Sequence, residues 1–331
     1  MSYLLYLPIR KNLRITNKVD KNSKIILPGG AGLVGQNLVA HLKNRGYNNL
    51  VVIDKHRANL NILRKLHPDI IADDHDLSER GDWEALFDGA DIVIMLQAQI
   101  GDLKPEPFIR NNVTSTENIL EVCKQRNIGY IVHISSSVVE SVANDLYTNT
   151  KKEQEQLVLN SGIDHVVLRP TLMFGWFDRK HLGWLSRFMK KVPIFPIPGH
   201  GRYMRQPLYV GDFCNIIVSC IEMHITGKVY NITGFEKIDY IDIIRQIRKS
   251  TGAKSLILKI PYSVFYLLLR IWALFDKNPP FTADQLQALV AHDEFEVIDW
   301  PEIFKIEPTP FDKAIDETFN DPVYSNIVLD F

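Results

Sequence analysis

The sequence predicts an α/β protein: a doubly wound parallel sheet followed by a smaller C-terminal lobe. Three observations lead there. Short apolar runs alternate with helix-spaced segments from residue 25 to residue 134. The first run, Ile25-Ile26-Leu27, ends in a glycine-rich turn, Gly29-Gly30-Ala31-Gly32-Leu33-Val34-Gly35, that opens a helix. The second run, Leu50-Val51-Val52-Ile53, ends in Asp54, 19 residues after Gly35.

Strand, glycine turn and helix in that order form a site for a dinucleotide. Without side chains, Gly29 and Gly32 allow a sharp turn and a close approach to a pyrophosphate, and Gly35 lets the helix pack on the strand. The free N–H groups at the helix start, around Leu33 and Val34, face the phosphates. Asp54 is placed to reach the adenosine ribose hydroxyls. Its carboxylate would repel a 2′-phosphate and so favours NAD, while Lys55 and Arg57 nearby keep NADP open.

The remaining elements follow from periodicity. Residues 56–66 predict a helix and residues 69–72 a third strand. The polar stretch Asp73-Asp74-His75-Asp76-Leu77 reads as a loop rather than a metal site, with Asp76 and Leu77 at the adenine edge. A short helix over 83–87 precedes the strand Ile92-Val93-Ile94-Met95-Leu96, whose end, Leu96-Gln97-Ala98, lies at the carboxyl edge where cofactor sites gather. A long amphipathic helix over 108–126 and a strand over 130–134 lead to Ser135-Ser136-Ser137.

Bulk composition excludes several classes. The 331 residues carry a net charge of −1, 46% hydrophobic and 23% charged residues, so nothing suggests a nucleic-acid surface. Cys123, Cys214 and Cys220 form no metal or disulfide pattern and fit a reducing, cytoplasmic setting. Residues 1–23 read as a basic, disordered extension rather than a secretory signal. The apolar run from Val264 to Phe275 is too short to span a bilayer, which needs roughly 20 residues. It reads as a buried or lobe-packing helix, with peripheral membrane contact left open.

Chemistry enters at Tyr147 and Lys151, four apart on the helix that runs to Leu159. A free tyrosine has a pKa of about 10 and is a poor base at neutral pH. A nearby ammonium and an oxidised nicotinamide would stabilise its phenolate. It could then move the proton of a substrate hydroxyl or carbonyl while hydride passes to or from the ring. A serine from the preceding strand end would hold the same oxygen.

At this point the chain resembles the short-chain dehydrogenase/reductase superfamily, in its extended branch of epimerases and dehydratases acting on nucleotide sugars. The glycine turn is similar to that branch's GxxGxxG, and Asn112 to Leu120 to its NVxGTxNLL. Ser135 to Val139 resembles SSSxVYG, Tyr147 to Lys151 YxxxK, and Leu168 to Gly175 LRPxxxYG. Gln206 to Asp212 resembles its later strand segment.

The resemblance implies a Rossmann-type domain over 24–170, with 206–234 returning to it, and a substrate lobe built from 171–205 and 235–331. It implies Tyr147 as acid/base, Lys151 on the nicotinamide ribose, and Ser136, or Ser137 one residue on, as the substrate-oxygen ligand. Asn112 and Pro170 fall at cofactor-lining positions of those motifs. It further implies a homodimer through the helices at 109–126 and 147–160.

This chain departs from the pattern in three places. Only 11 residues separate Ser136 from Tyr147, Glu140 replaces the usual tyrosine, and Met95-Leu96-Gln97-Ala98 replaces HLAA. The short interval and tail segments such as Pro280 to Leu286 resemble an atypical branch that includes a nucleotide-binding accessory subunit of respiratory complex I. Past Trp176, basic residues sit among aromatics, which suits a diphosphate joined to a planar base, and Arg205 is the leading phosphate contact.

The expected function is NAD(P)-dependent epimerisation, dehydration or ketoreduction of a nucleotide-activated sugar. The alternatives are a dinucleotide-binding accessory protein without turnover and a reductase of a lipid or small carbonyl.

Overall fold

The computed structural model describes residues 19–275, 283–290 and 296–330. The N-terminal extension falls mostly outside the described residues, as does the start of the Pro280 to Leu286 segment. Seven strands form the central sheet: β1 Ile25–Pro28, β2 Leu50–Asp54, β3 Ile71–Asp74, β4 Ile92–Met95, β5 Tyr130–Ile134, β6 Asp164–Pro170 and, later in the chain, β11 Lys228–Ile232. Their order is β11-β6-β5-β4-β1-β2-β3, and every pairing is parallel. Sequential strands run outward one way from β1 to β3 and the other way from β4, so the chain reverses between β1 and β4. That switch point opens a crevice at the carboxyl ends of the strands.

Burial on both faces explains why these strands read as continuous apolar runs. Ile25, Ile26, Leu27, Val51, Val52, Val93 and Ile131 are fully buried. The helices α1 Leu33–Asn44, α2 Arg57–Leu66, α3 Pro105–Phe108, α4 Ser115–Gln125, α5 Leu146–Leu159 and α7 Val210–Glu222 are interspersed among the strands. The third strand is shifted two residues towards the C-terminus of its predicted place, in register with β2 at Val51 opposite Ile71.

The long helix expected over 108–126 forms, running without interruption from Pro105 to Gln125, but its middle is not α-helical. Residues Ile109–Thr114 form a π-helix between α3 and α4, and there the Asn112 side chain turns towards the loop after β4. Side chains also bond back onto this turn, Ser115 to the Asn111 carbonyl at 2.6 Å and Thr116 to the Asn112 carbonyl at 2.8 Å.

The other elements are small. The strands β7 Met173–Phe174, β8 Ile194–Pro198, β9 Met204–Arg205, β10 Leu208–Tyr209, β12 Ile238–Asp239 and β13 Leu256–Ile260 pair two by two. Around them lie α6 Leu182–Lys191, α8 Tyr240–Thr251, α9 Tyr262–Phe275, α10 Ala283–Val290, α11 Trp300–Phe304 and α12 Phe311–Asn320. The largest apolar core runs without a break from Ile25 and Val52 in the sheet to Phe213, Trp300, Phe304 and Ile315. Asp212 on α7 ties the C-terminal segment down, accepting from the Thr309 hydroxyl at 2.6 Å and its N–H at 3.1 Å.

One expectation fails here. The helix α9 was expected to be buried or packed into the lobe, yet Leu269 is its one buried side chain. Apolar residues surround the whole helix, and a neighbour on one side cannot cover all of them.

Candidate active site

The crevice at the switch point is built from strand ends. Gly29 sits at φ 74°, and a Cβ there would stand 2.4 Å from the Gln97 backbone, so both conformation and contact demand glycine. At Gly35 a Cβ would meet the Gly30 carbonyl oxygen at 2.2 Å, which explains the close seat of α1 on the turn. At Gly32 the nearest atom to a built Cβ is 3.7 Å away. Protein packing therefore does not require glycine at Gly32. The open space stands at the start of α1, where a pyrophosphate would need it.

These glycines give a direct test. The variant Gly29→Ala should lose about 1–3 kcal/mol from the strained backbone alone, with a further loss from displacing Gln97. Urea denaturation reads the total, and a variant as stable as the parent would contradict the turn geometry.

Asp54 closes the turn from the β2 side. One carboxylate oxygen accepts from the Ala31 N–H and the other from the His56 N–H, each at 3.0 Å. Burial pushes its pKa up, against those bonds. Each oxygen keeps a further lone pair for a ribose hydroxyl. Lys55 and Arg57, the two cations that could have welcomed a 2′-phosphate, are engaged: Lys55 with Asp76 and Asn111, Arg57 with Asp74. Asp76 also receives Arg110 at 3.1 Å and the Ser78 hydroxyl at 2.7 Å. Burial would raise the Asp76 pKa, but those bonds outweigh it and the carboxylate is held below its usual range. Within the loop expected to be merely polar, His75 pairs with Asp73 at 2.7 Å.

The centre of the site lies between β5 and α5. Of the two serines carried forward, Ser136 is the one whose side chain acts on the Tyr147 phenol, pulling its pKa down. Ser137 begins the short helical turn Ser137–Glu140. Burial raises the Tyr147 pKa, the Ser136 side chain opposes this, and the Asp145 charge adds to it. Lys151, expected from the spacing to lower it, is not among the groups that act on it.

Lys151 explains the difference. Its ammonium is 1% exposed and donates to the Ile134 carbonyl at 3.1 Å and to the Gln154 side chain. Loss of hydration brings its pKa down to about 7, with the Glu155 charge acting the other way.

Around this pair the structure shows polar residues that sequence reasoning missed. The Gln154 amide donates to the Gln97 carbonyl at 3.3 Å and to the Thr116 hydroxyl at 3.0 Å. Glu155 is buried and takes Ser135 at 2.5 Å and Arg169 in a two-toothed pair at 2.5 and 3.1 Å. Arg169 continues to Glu140 at 2.7 Å, and Asn231 donates to Glu140 at 3.0 Å. Glu140, at the position where the resembled family has tyrosine, thus joins β6, β11 and the turn after β5. The available signal was the placing of Gln154 and Glu155 three and four residues after Lys151, on the same helix face.

Two predicted contacts have other partners. Asn112 is fully buried, and its amide holds the Gln99 N–H at 2.7 Å and the Thr150 hydroxyl at 3.0 Å. It shapes the cofactor loop from beneath. Arg205 donates to the Met204 carbonyl at 2.9 Å and to the Leu289 carbonyl, anchoring α10. A phosphate would have to draw it away from them.

The residues present fit a dinucleotide. The Gly32 space and the Asp54 carboxylate stand at the glycine turn, and the Gln97 side-chain oxygen, on the strand end packed against Gly29, is buried without a partner. Among known proteins, the family described as NAD dependent epimerase/dehydratase matches residues 25–233. The chain belongs to that family. It is an NAD-dependent enzyme of the epimerase/dehydratase type, as the motifs implied.

Relatives place it within a broad group. The chain is 27% identical to dTDP-glucose 4,6-dehydratase of Streptomyces niveus over 275 residues, covering 70% of this chain and 78% of that one. It is 24% identical over 319 residues to the decarboxylating sterol-4-alpha-carboxylate 3-dehydrogenase of Schizosaccharomyces pombe, covering 87% and 93%. Its fold is similar to that of a UDP-glucuronic acid 4-epimerase from Bacillus cereus in complex with NAD. There the TM-score is 0.64 at 22% identity, with 89% of this chain and 94% of that one covered.

Proposed function

We propose that this family member epimerises, dehydrates or reduces a nucleotide-activated sugar, moving hydride between the sugar and bound NAD. The observation that carries the reading is the set of Tyr147, whose phenol the Ser136 side chain acts on, and buried Lys151 one helical turn on, held at the end of β5 by the Ile134 carbonyl. Bound NAD would supply a hydride acceptor and, once reduced, a hydride donor. Tyr147 gives or takes the proton on the reacting oxygen, Ser136 holds that oxygen, and Lys151 meets the ribose hydroxyls. Leu33, Val34, Asp76, Leu77, Leu96, Ala98 and Pro170 would line the cofactor. The elements from 171–205 and 235–331 would close over the sugar.

A homodimer through α4 and α5 belongs to the same reading. An open groove of about 410 Å³ runs between them, with Glu117, Glu121, Lys124 and Glu153 on its walls. The buried free thiols Cys123, Cys214 and Cys220 suit a reducing, cytoplasmic compartment.

The test is NMR of products after incubation with NAD or NADPH and a panel of UDP-, GDP- and dTDP-sugars. Conversion of one sugar class is expected, and no conversion by protein that retains NAD would contradict it. A second reading, oxidation or reduction of a lipid alcohol or ketone, is favoured by the short Ser136–Tyr147 interval and by the sterol-dehydrogenase relative. Sterols added to the panel distinguish the two.

A further inference from the structure

We propose that α9 and the strand leading into it form a docking surface for the headgroup layer of an anionic phospholipid membrane. At 100° per residue, Val264, Leu267, Ile271 and Leu274 fall on one side of α9, flanked by Leu268 and Phe275, with Leu269 opposite. All six outward residues are exposed, Leu267 at 58%, Leu274 at 81% and Phe275 at 86%. Tyr262, Tyr266 and Trp272 add exposed amphipathic rings of the kind that settle at a bilayer interface. Exposed Leu256 and Leu258 on β13 precede the helix, and Ile194, paired with Leu256 across the ribbon, is exposed too. Water does not favour so continuous an apolar face.

Charge selects the occupant. From Arg245 to Phe275 the sequence carries Arg245, Arg248, Lys249, Lys254, Lys259 and Arg270 and no acidic residue. Lys254, Lys259 and Arg270 are exposed before and within the apolar segment. An apolar helix preceded by Lys254 and Lys259 and carrying Arg270, against the single acidic residue Asp276 directly after it, complements a surface that is oily below and negative above. A second copy of this chain would bring cation to cation at the same face. No described helix is long and apolar enough to cross a membrane, so α9 would lie in the interface.

The experiment is sedimentation of the full chain with vesicles of phosphatidylcholine alone or mixed with phosphatidylglycerol, at low and high salt. Preferential binding to the anionic vesicles is expected, weakened by salt. It should fall roughly tenfold or more in Leu267→Asp/Ile271→Asp and in Lys254→Glu/Lys259→Glu/Arg270→Glu. These positions are exposed and remote in sequence from the glycine turn, and unchanged NAD affinity confirms that the variants fold. Equal binding to neutral and anionic vesicles would overturn the proposal. So would no binding by a chain that light scattering shows to be a dimer dissociated by Leu267→Asp. Neither readout uses a sugar, so its failure is distinct from failure of the proposed reaction.

Discussion

Replacing Tyr147 by phenylalanine is expected to lower kcat by about 10²–10⁴-fold, the usual contribution of a positioned acid/base group. NAD binding should survive, because the removed oxygen lies on α5 next to Ser136 and makes no bond to the glycine turn. The pH dependence follows from the raised Tyr147 pKa. Burial keeps the phenol protonated at neutral pH, with the Asp145 charge reinforcing this against the Ser136 side chain. Carbonyl reduction therefore finds its proton donor ready, whereas hydroxyl oxidation must wait for the phenolate. The oxidation rate should rise with pH through neutrality and beyond, and the variant should lose that rise. A variant that keeps parental kcat and its pH profile would remove Tyr147 from the chemistry.

Lys151→Met is expected to stabilise the cofactor-free protein in acid and destabilise it in base. The folded pKa of Lys151 is lowered from 10.5 to about 7 by desolvation, so between those values the unfolded chain holds a proton that the folded chain lacks. Stability therefore rises with pH across that window, and the penalty is complete below it. At about 1.4 kcal/mol for each tenfold change in proton affinity, the penalty at pH 6 is at most ~5 kcal/mol. Removing the ammonium also strands the Ile134 carbonyl and the Gln154 oxygen, at a cost of about 1–3 kcal/mol.

The net is a gain of a few kcal/mol near pH 6, vanishing at about pH 9 and becoming a loss above it. Urea denaturation of both proteins across that range reads the crossing, and parallel curves would contradict a buried, poised lysine. With NAD added, the parent should gain more than the variant, since Lys151 would exchange burial for ribose hydroxyls.

What could be read from the sequence was local. The glycine turn, Asp54 and the Tyr147–Lys151 spacing each lie within one strand–turn–helix or one helical turn, where residue spacing dictates geometry. The partners of those residues come from other strands. The Gln97–Thr116–Gln154 contacts and the Ser135–Glu155–Arg169–Glu140 chain depend on how β4, β5, β6 and α5 stack, which no single window contains. The lowered Tyr147 pKa was expected because the lysine was taken to face the phenol, while in the fold its bonds go to Ile134 and Gln154. For α9 the sequence gives hydropathy but not its neighbours, and an apolar helix reads the same whether covered or exposed.

In the proposed reaction, hydride leaves a sugar for bound NAD while Tyr147 takes the proton. The most direct test mixes the NAD-loaded protein with the nucleotide sugar found by the product panel and follows the near-ultraviolet absorbance of reduced nicotinamide through a single turnover. Reduced nicotinamide should form in the parent and form at least a hundredfold more slowly in Tyr147→Phe at equal NAD occupancy. Product formation without any reduced nicotinamide, or equal rates in the two proteins, would contradict it.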